Sequence, residues 1–192
     1  KETLIDKVRI ATILGTYQSM LTDFHYLSPE WKKNCEEERL LGVSLNGQYD
    51  CKEVRKPIVL RSLKRQAIKT NKEYAKKFKI NPSTAITCTK PEGSSSSMLG
   101  VSSGCHPHHS KRYLRYIQCN RQEEPYKLFR KFNPSACNKS VWSQNDTDDV
   151  IMFPIEVPDG SKLKNQLSAI EMLEIVKLIQ KHWVLIGKNE HL

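Results

Sequence analysis

Apolar side chains recur at helical spacing from the start of the chain. Leu4, Val8, Ala11 and Gly15 form one line, and Ile10, Ile13, Leu14, Tyr17 and Leu21 widen it, which predicts a helix over the first twenty residues. Thr22 to Pro29 reads as a loop with aromatic residues, and Pro29 suits the first position of a short second helix, where its missing N–H costs nothing. Gly42 and Gly47 bracket the alternating Val43-Ser44-Leu45-Asn46, which predicts a short strand in a confined place or one that turns sharply. From Ile58 the period is helical again: Leu60, Leu63, Ala67, Tyr74 and Phe78 share one face, while Arg61, Lys64, Arg65, Lys69, Lys72 and Lys76 fall elsewhere. That pattern describes a basic amphipathic helix burying one stripe.

Asn81-Pro82-Ser83 ends this helix, and the β-branched run Thr84 to Thr89 predicts a strand. Pro91 to Ser97 reads as a Ser- and Gly-rich turn, with a helix beginning over Met98 to Val101. Ser102 to Ser110 is irregular. Tyr113 to Cys119 alternates as a strand, and Pro125 to Phe132 reads as a short helix with Tyr126, Phe129 and Phe132 inward. Asn133 to Asp149 is polar and turn-like, with Trp142 as its anchor. Val150 to Val157 is a further strand, which Pro154 places at an edge or a bulge. The last helix opens on a capping box, Ser168 with Glu171, and presents Ala169, Met172, Leu173, Val176, Ile179 and Trp183 before Gly187 ends it. Strands alternating with helices predict an α/β layout with parallel neighbours. Four short strands cannot close a barrel, but they can form an arc of one.

A chain of 192 residues accommodates one domain with its own core, hardly two. Apolar residues at 38% and charged residues at 27% fit a protein with much exposed surface, or a piece of something larger. The chain starts without Met and stops just after a helical stretch, so both ends read as cuts. No apolar run reaches the length of about 18 residues that a spanning helix needs, and no secretory signal is visible at the start. Cys35, Cys51, Cys88, Cys105, Cys119 and Cys137 contain no Cys-x-x-Cys pair, which argues against a zinc ribbon. A Lys-rich, signal-free chain points to the cytoplasm, where these thiols stay reduced.

Charge is concentrated. Between Lys52 and Lys79 stand eleven Lys or Arg against two acids, Glu53 and Glu73, which accounts for nearly all of the net charge of +10. Such a stripe attracts nucleic acid, anionic lipid or phosphorylated substrates; the plainer reading is a solvated helix face.

The segment with the most chemistry is Thr87-Cys88-Thr89-Lys90-Pro91-Glu92-Gly93-Ser94-Ser95-Ser96-Ser97, between a strand and a helix. The first N–H groups of a helix have no internal partner, so an anion satisfies them. Gly93 lets the backbone approach a phosphate without a Cβ between them. The serines supply short hydroxyl donors, Pro91 stiffens the entry and Lys90 adds charge. A plain flexible loop has the same composition. The Gly-x-x-x-x-Gly-Lys-Ser pattern and the dinucleotide fingerprint are both missing.

The string Thr84 to Ser94, followed by Gly100-Val101-Ser102-Ser103-Gly104-Cys105-His106-Pro107, resembles the phosphate-loop region of adenosylcobalamin-dependent (class II) ribonucleoside-triphosphate reductases. Ala11 to Thr16 with Asp23-Phe24, Glu36 to Leu45, Asn71 to Ala75 and Glu174 to Trp183 agree in the same order. The resemblance implies an incomplete arc of a ten-stranded α/β barrel, with residues 1–192 a single partial domain and the phosphate-binding strand, loop and helix at 84–101. It implies that Glu92, Gly93, Ser94, Ser95 and Ser96 hold the substrate's phosphates, and that Pro91, Gly104, Cys105 and His106 line the pocket. The parent protein would use adenosylcobalamin to raise a thiyl radical that attacks the ribose. Its partners would be a ribonucleoside triphosphate, the remainder of the reductase chain and a thioredoxin-type reductant, with no membrane. The family's Asn-Pro-Cys-Gly-Glu type motif has no counterpart here and would lie upstream of Lys1, so no cysteine inherits a catalytic role. Cys105 stands where an aliphatic residue is expected, and Ser94 and Asn46 where threonine is usual.

Cys105, His106, His108 and His109 suggest a metal cluster, but adjacent His108 and His109 diverge and nothing completes four ligands. A Cys105–His protease dyad has no orienting acid or oxyanion hole. Trp31, Trp142, Trp183, Tyr113 and Tyr116 read as packing residues. Beside the reductase fragment stand two other functional classes: a basic nucleic-acid-binding module at Lys52 to Lys79, and a non-catalytic remnant of a split reductase.

Overall fold

The computed structural model describes residues 2–184. Six helices and a three-stranded sheet follow in the order α1 (Glu2–Gln18), α2 (Pro29–Glu38), α3 (Pro57–Phe78), α4 (Gly93–Leu99), β1 (Arg112–Asn120), α5 (Glu124–Phe132), β2 (Cys137–Lys139), β3 (Asp148–Glu156) and α6 (Ala169–His182). Local signals set several boundaries. Pro29, Pro57 and Pro125 each sit in a first turn, and Ser168 and Glu171 close a reciprocal capping box at α6. The predicted stop at Gly187 lies outside the described residues.

The main core gathers α1, α3 and α6 around Val8, Leu60, Leu63, Ala67, Ile179 and Trp183. Trp183 is fully buried and donates its indole N–H to Cys88 O at 3.1 Å. On α1 the buried line is Val8, Thr12 and Thr16 rather than Leu4, Val8, Ala11 and Gly15, and Ile10, Leu14, Tyr17 and Leu21 are exposed. Each threonine hydroxyl returns to the carbonyl four residues earlier, at 2.7 Å, so the polar groups are satisfied and their small size admits α3. Asn71 on α3 completes the seam: its amide nitrogen donates to Thr16 Oγ1 at 3.0 Å and Ser83 Oγ at 2.8 Å, and its oxygen accepts the Ser83 N–H at 2.9 Å.

Several apolar and basic positions lie elsewhere than their periodicity suggests. Lys64 is buried and donates to Val184 O at 2.9 Å, whereas Arg65, Lys69, Lys72 and Lys76 occupy a solvated face. Phe132, Leu173, Trp31 and Trp142 are exposed, so Trp142 anchors nothing. Ala169 is exposed too. Inward packing on α5 comes from Tyr126 and from Phe129, whose ring lies 5.6 Å from Phe153.

Expected parallel neighbours survive as a short pairing. Val43 and Thr87 form an isolated parallel bridge, supported by Val43 N–H to Ile86 O and Cys88 N–H to Val43 O, both 2.9 Å. No longer strand forms at 42–47 or 84–89. The sheet proper is antiparallel, in the order β1-β3-β2, because α5 and the following turns return the chain beside β1 instead of carrying it over a face. The architecture is thus mixed helix and sheet. Pro154 sits in a central strand, but β2 pairs only as far as Ile151, so Pro154 has β1 on one side alone and its missing N–H needs no second partner.

Candidate functional site

The short parallel pairing brings residues 44–46 beside 89–92, and the Lys90 N–H donates to Ser44 Oγ at 3.2 Å. Glu92 then takes a left-handed conformation, φ 60°, and α4 begins at Gly93. The helix starts five residues before the expected Met98, so the serines lie within it rather than in a preceding turn. Its first intrahelical bond joins Ser96 N–H to Glu92 O at 3.0 Å; the N–H groups of Gly93, Ser94 and Ser95 precede that bond.

Asn46 organises the loop. Its Nδ2 donates to Glu92 Oε2 at 3.2 Å and Ser95 Oγ at 3.1 Å, and its Oδ1 accepts the Gly104 N–H at 3.0 Å. Ser95 also donates to the Glu92 carboxylate. Burial opposes the Glu92 charge, but hydrogen bonds from Ser95, Ser44 and Asn46, with the Lys90 charge nearby, outweigh it and hold the carboxyl below its ordinary value. Gly104 has φ +52°, and a Cβ there would lie 2.4 Å from Lys90 O. Ser103 Oγ donates to Pro91 O at 2.7 Å. Two loops, 90–92 and 102–104, are therefore locked face to face.

The sequence-derived residues divide into groups. Glu92, Ser95 and Gly104 join one hydrogen-bonded cluster. Ser96 is buried and donates to Gly93 O at 3.1 Å. Gly93 and Ser94 are exposed and border a cleft of about 710 Å³ against β1 and β3. Cys105 belongs to the main core, where burial pushes its thiol up. His106 and Pro91 are exposed, and the His106 N–H donates to Ser103 O at 2.8 Å. None of Pro91, Gly104, Cys105 and His106 borders the cleft.

Arg115 is the residue that sequence reading missed. It borders the same cleft, donating from Nη1 to Ser97 Oγ at 2.9 Å and from Nη2 to the Tyr113 hydroxyl at 3.1 Å. Tyr113, Arg115, Ile117 and Cys119 form the half-buried face of β1. A cation on the inward side of an alternating strand was the available signal. Behind it, buried His108 pairs with Asp50 at 2.7 Å, and Asp50 also accepts the Ser102 N–H at 2.7 Å. His109 is exposed, and its ring lies edge-on to the same Tyr113. Among the described residues no three His, Cys, Asp or Glu side chains gather as metal ligands, and no helix is long and apolar enough to cross a membrane.

No family model matches the chain. A probable adenosylcobalamin-dependent ribonucleoside-triphosphate reductase of Dictyostelium discoideum is 25% identical over 113 residues, covering 59% of this chain and 14% of that protein. The crystal structure of a B12-dependent (class II) ribonucleotide reductase superposes with a TM-score of 0.68 at 16% identity, over 92% of this chain and 29% of that one. The chain therefore spans a small part of the proteins it matches. In sequence it is similar to an adenosylcobalamin-dependent ribonucleoside-triphosphate reductase, and in fold to part of a class II ribonucleotide reductase.

Proposed function

We propose that this chain is a partial domain of the catalytic barrel of an adenosylcobalamin-dependent ribonucleotide reductase, and that its share of the work is to hold the substrate's phosphates. The observation that carries this reading is the setting of Gly93 and Ser94. They open α4 at the edge of a cleft, on a loop fixed from behind by Asn46, and a Cβ built on Gly93 meets no atom within 4 Å. Backbone N–H groups there suit phosphate oxygens, with Ser94 as a further donor. Ser95 and Glu92 hold the loop's shape through their mutual bond. The parallel pairing at Val43 and Thr87 suits an arc of the barrel.

In this reading the radical centre lies outside the residues described. No described cysteine borders the cleft, and the family's radical-cysteine motif has no counterpart in the sequence. Adenosylcobalamin, when bound, would supply the radical equivalent to a cysteine outside this chain, in a cytoplasmic protein reduced by a thioredoxin-type partner. The substrate would be a ribonucleoside triphosphate. In the intact protein, Gly93→Val should raise KM for the ribonucleotide while leaving the melting temperature nearly unchanged, since the space in front of Gly93 is open. An unchanged KM would remove the phosphate assignment.

A further inference from the structure

We propose that the free edge of β1 pairs antiparallel with β1 of a second copy of the protein, centred on Tyr116. The proposal does not depend on the phosphate reading above.

β1 is an edge strand, with β3 on one side only. Its register fixes which backbone groups face the open side. Just past one end Val157 N–H donates to Lys111 O, and just past the other Arg121 N–H donates to Thr147 O, both at 3.0 Å. Bonded and unbonded pairs alternate in an antiparallel ladder. Tyr113, Arg115, Ile117 and Cys119 therefore bond to β3, and the even-numbered residues turn their N–H and C=O groups outward. The Arg112 carbonyl accepts Ser110 Oγ at 2.6 Å, and the Asn120 carbonyl accepts the Glu123 N–H at 3.2 Å. Leu114, Tyr116 and Gln118 keep both groups, and among the described residues nothing bonds to them. No proline, glycine, lysine or bulge interrupts the strand, and those are the features that protect an edge from pairing. Leu114 and Tyr116 are 53% and 60% exposed.

The occupant is a second β1 because the open groups are symmetric about Tyr116. With Tyr116 facing Tyr116 of the second copy, Leu114 faces Gln118, and every N–H and C=O of these residues finds a partner in both copies. The side chains agree with this register. Arg115 meets Ile117 and Arg112 meets Asn120, so no like charges stand opposite each other. On the outer face, Leu114 and Tyr116 of each copy join Pro154 and Met152 of β3 in one apolar surface. Charge permits the approach as well. Arg112 and Arg115 of β1 are balanced by Asp148, Asp149 and Glu156 of β3, whereas nearly all of the net charge of +10 lies between Lys52 and Lys79. A strongly charged partner finds no excess of opposite charge on these two strands, and a second copy finds no repulsion.

Sedimentation of the intact protein over a concentration series tests the pairing. Wild type should form dimers. Tyr116→Pro should weaken them about ten- to hundredfold, since it removes the central donor from both copies and leaves the β1–β3 ladder intact. Wild type that stays monomeric throughout overturns the proposal. Tyr116→Cys tests the register. Bonded residues of an antiparallel pair have Cα atoms about 5.5 Å apart, within reach of a disulfide. Mild oxidation should therefore couple Tyr116→Cys to itself, with the bond mapped by mass spectrometry, while Leu114→Cys should not self-couple. Equal coupling at both positions, or a dimer with no coupling at position 116, shows a different contact and overturns the proposal. Should Tyr116→Pro fail to fold, the wild-type dimer and the Tyr116→Cys coupling still decide. A monomer whose Tyr116 N–H is protected from hydrogen exchange would assign this edge to another part of the parent chain, and the proposal falls. In each of these failures Gly93→Val still reads the phosphate loop independently.

Discussion

The side-chain oxygen of Asn46 accepts the backbone N–H of Gly104 at 3.0 Å across 58 positions of sequence. The same amide reaches Glu92 and Ser95 with its nitrogen, so one side chain fixes the spacing of two loops. Asn46→Ala should cost about 1–3 kcal/mol, because the buried Gly104 N–H loses its acceptor, and in the intact protein it should raise KM for the nucleotide. Denaturant midpoints and steady-state kinetics check the two halves. A stability loss with unchanged KM would confine Asn46 to the fold.

Two glycines at the same site should respond oppositely. Gly104 has φ +52°, and its added Cβ would lie 2.4 Å from Lys90 O and 3.3 Å from Pro91 O, both rigid backbone atoms. Gly104→Ala should destabilise by about 2–4 kcal/mol through left-handed strain and overpacking. Gly93 opens a helix into empty space, so Gly93→Ala should shift stability by less than about 1 kcal/mol. Thermal melts of the pair test the contrast.

Glu92 adds a pH dependence. Its folded carboxyl titrates below the ordinary 4.5, so the native state binds a proton less readily than the unfolded chain. The resulting stability is present above the unfolded value and is lost as pH falls through the depressed folded one. Glu92→Gln should therefore flatten the acid limb of the stability curve in that window. Urea midpoints followed from about pH 6 to about pH 3 would show it; parallel curves for wild type and variant would contradict it.

Asn71 should matter to the fold and not to the site. It is fully buried and bonds Thr16 and Ser83. Asn71→Ala strands the Ser83 N–H and should cost about 2–3 kcal/mol, read as a lower denaturant midpoint. At temperatures where the variant stays folded, nucleotide affinity should equal that of wild type. A changed affinity would show that the α1–α3 seam reaches the cleft.

Local chemistry was legible along the chain. The long basic helix, the proline-opened helices and the Ser168–Glu171 box each depend on neighbours within a few residues, and all appear at their expected places. The start of α4 was not legible, because serine and glycine are weak helix formers whose composition reads as a turn. The buried face of α1 was misread for a related reason. Periodicity weighs Ile10 and Leu14 above Thr12 and Thr16, yet back-bonded hydroxyls removed the cost of burying the threonines.

From its residues alone the chain specified the helical segments other than α4, where a Gly- and Ser-rich stretch follows a β-branched run, and which family that stretch resembles, since these depend on short-range order. Only the tertiary structure decided that β1 and β3 pair antiparallel, that Asn46 joins 92 to 104, and that Arg115 faces the cleft beside Gly93. Those contacts link residues far apart in sequence, and their energies depend on burial and on which partner is within reach, which no local pattern records.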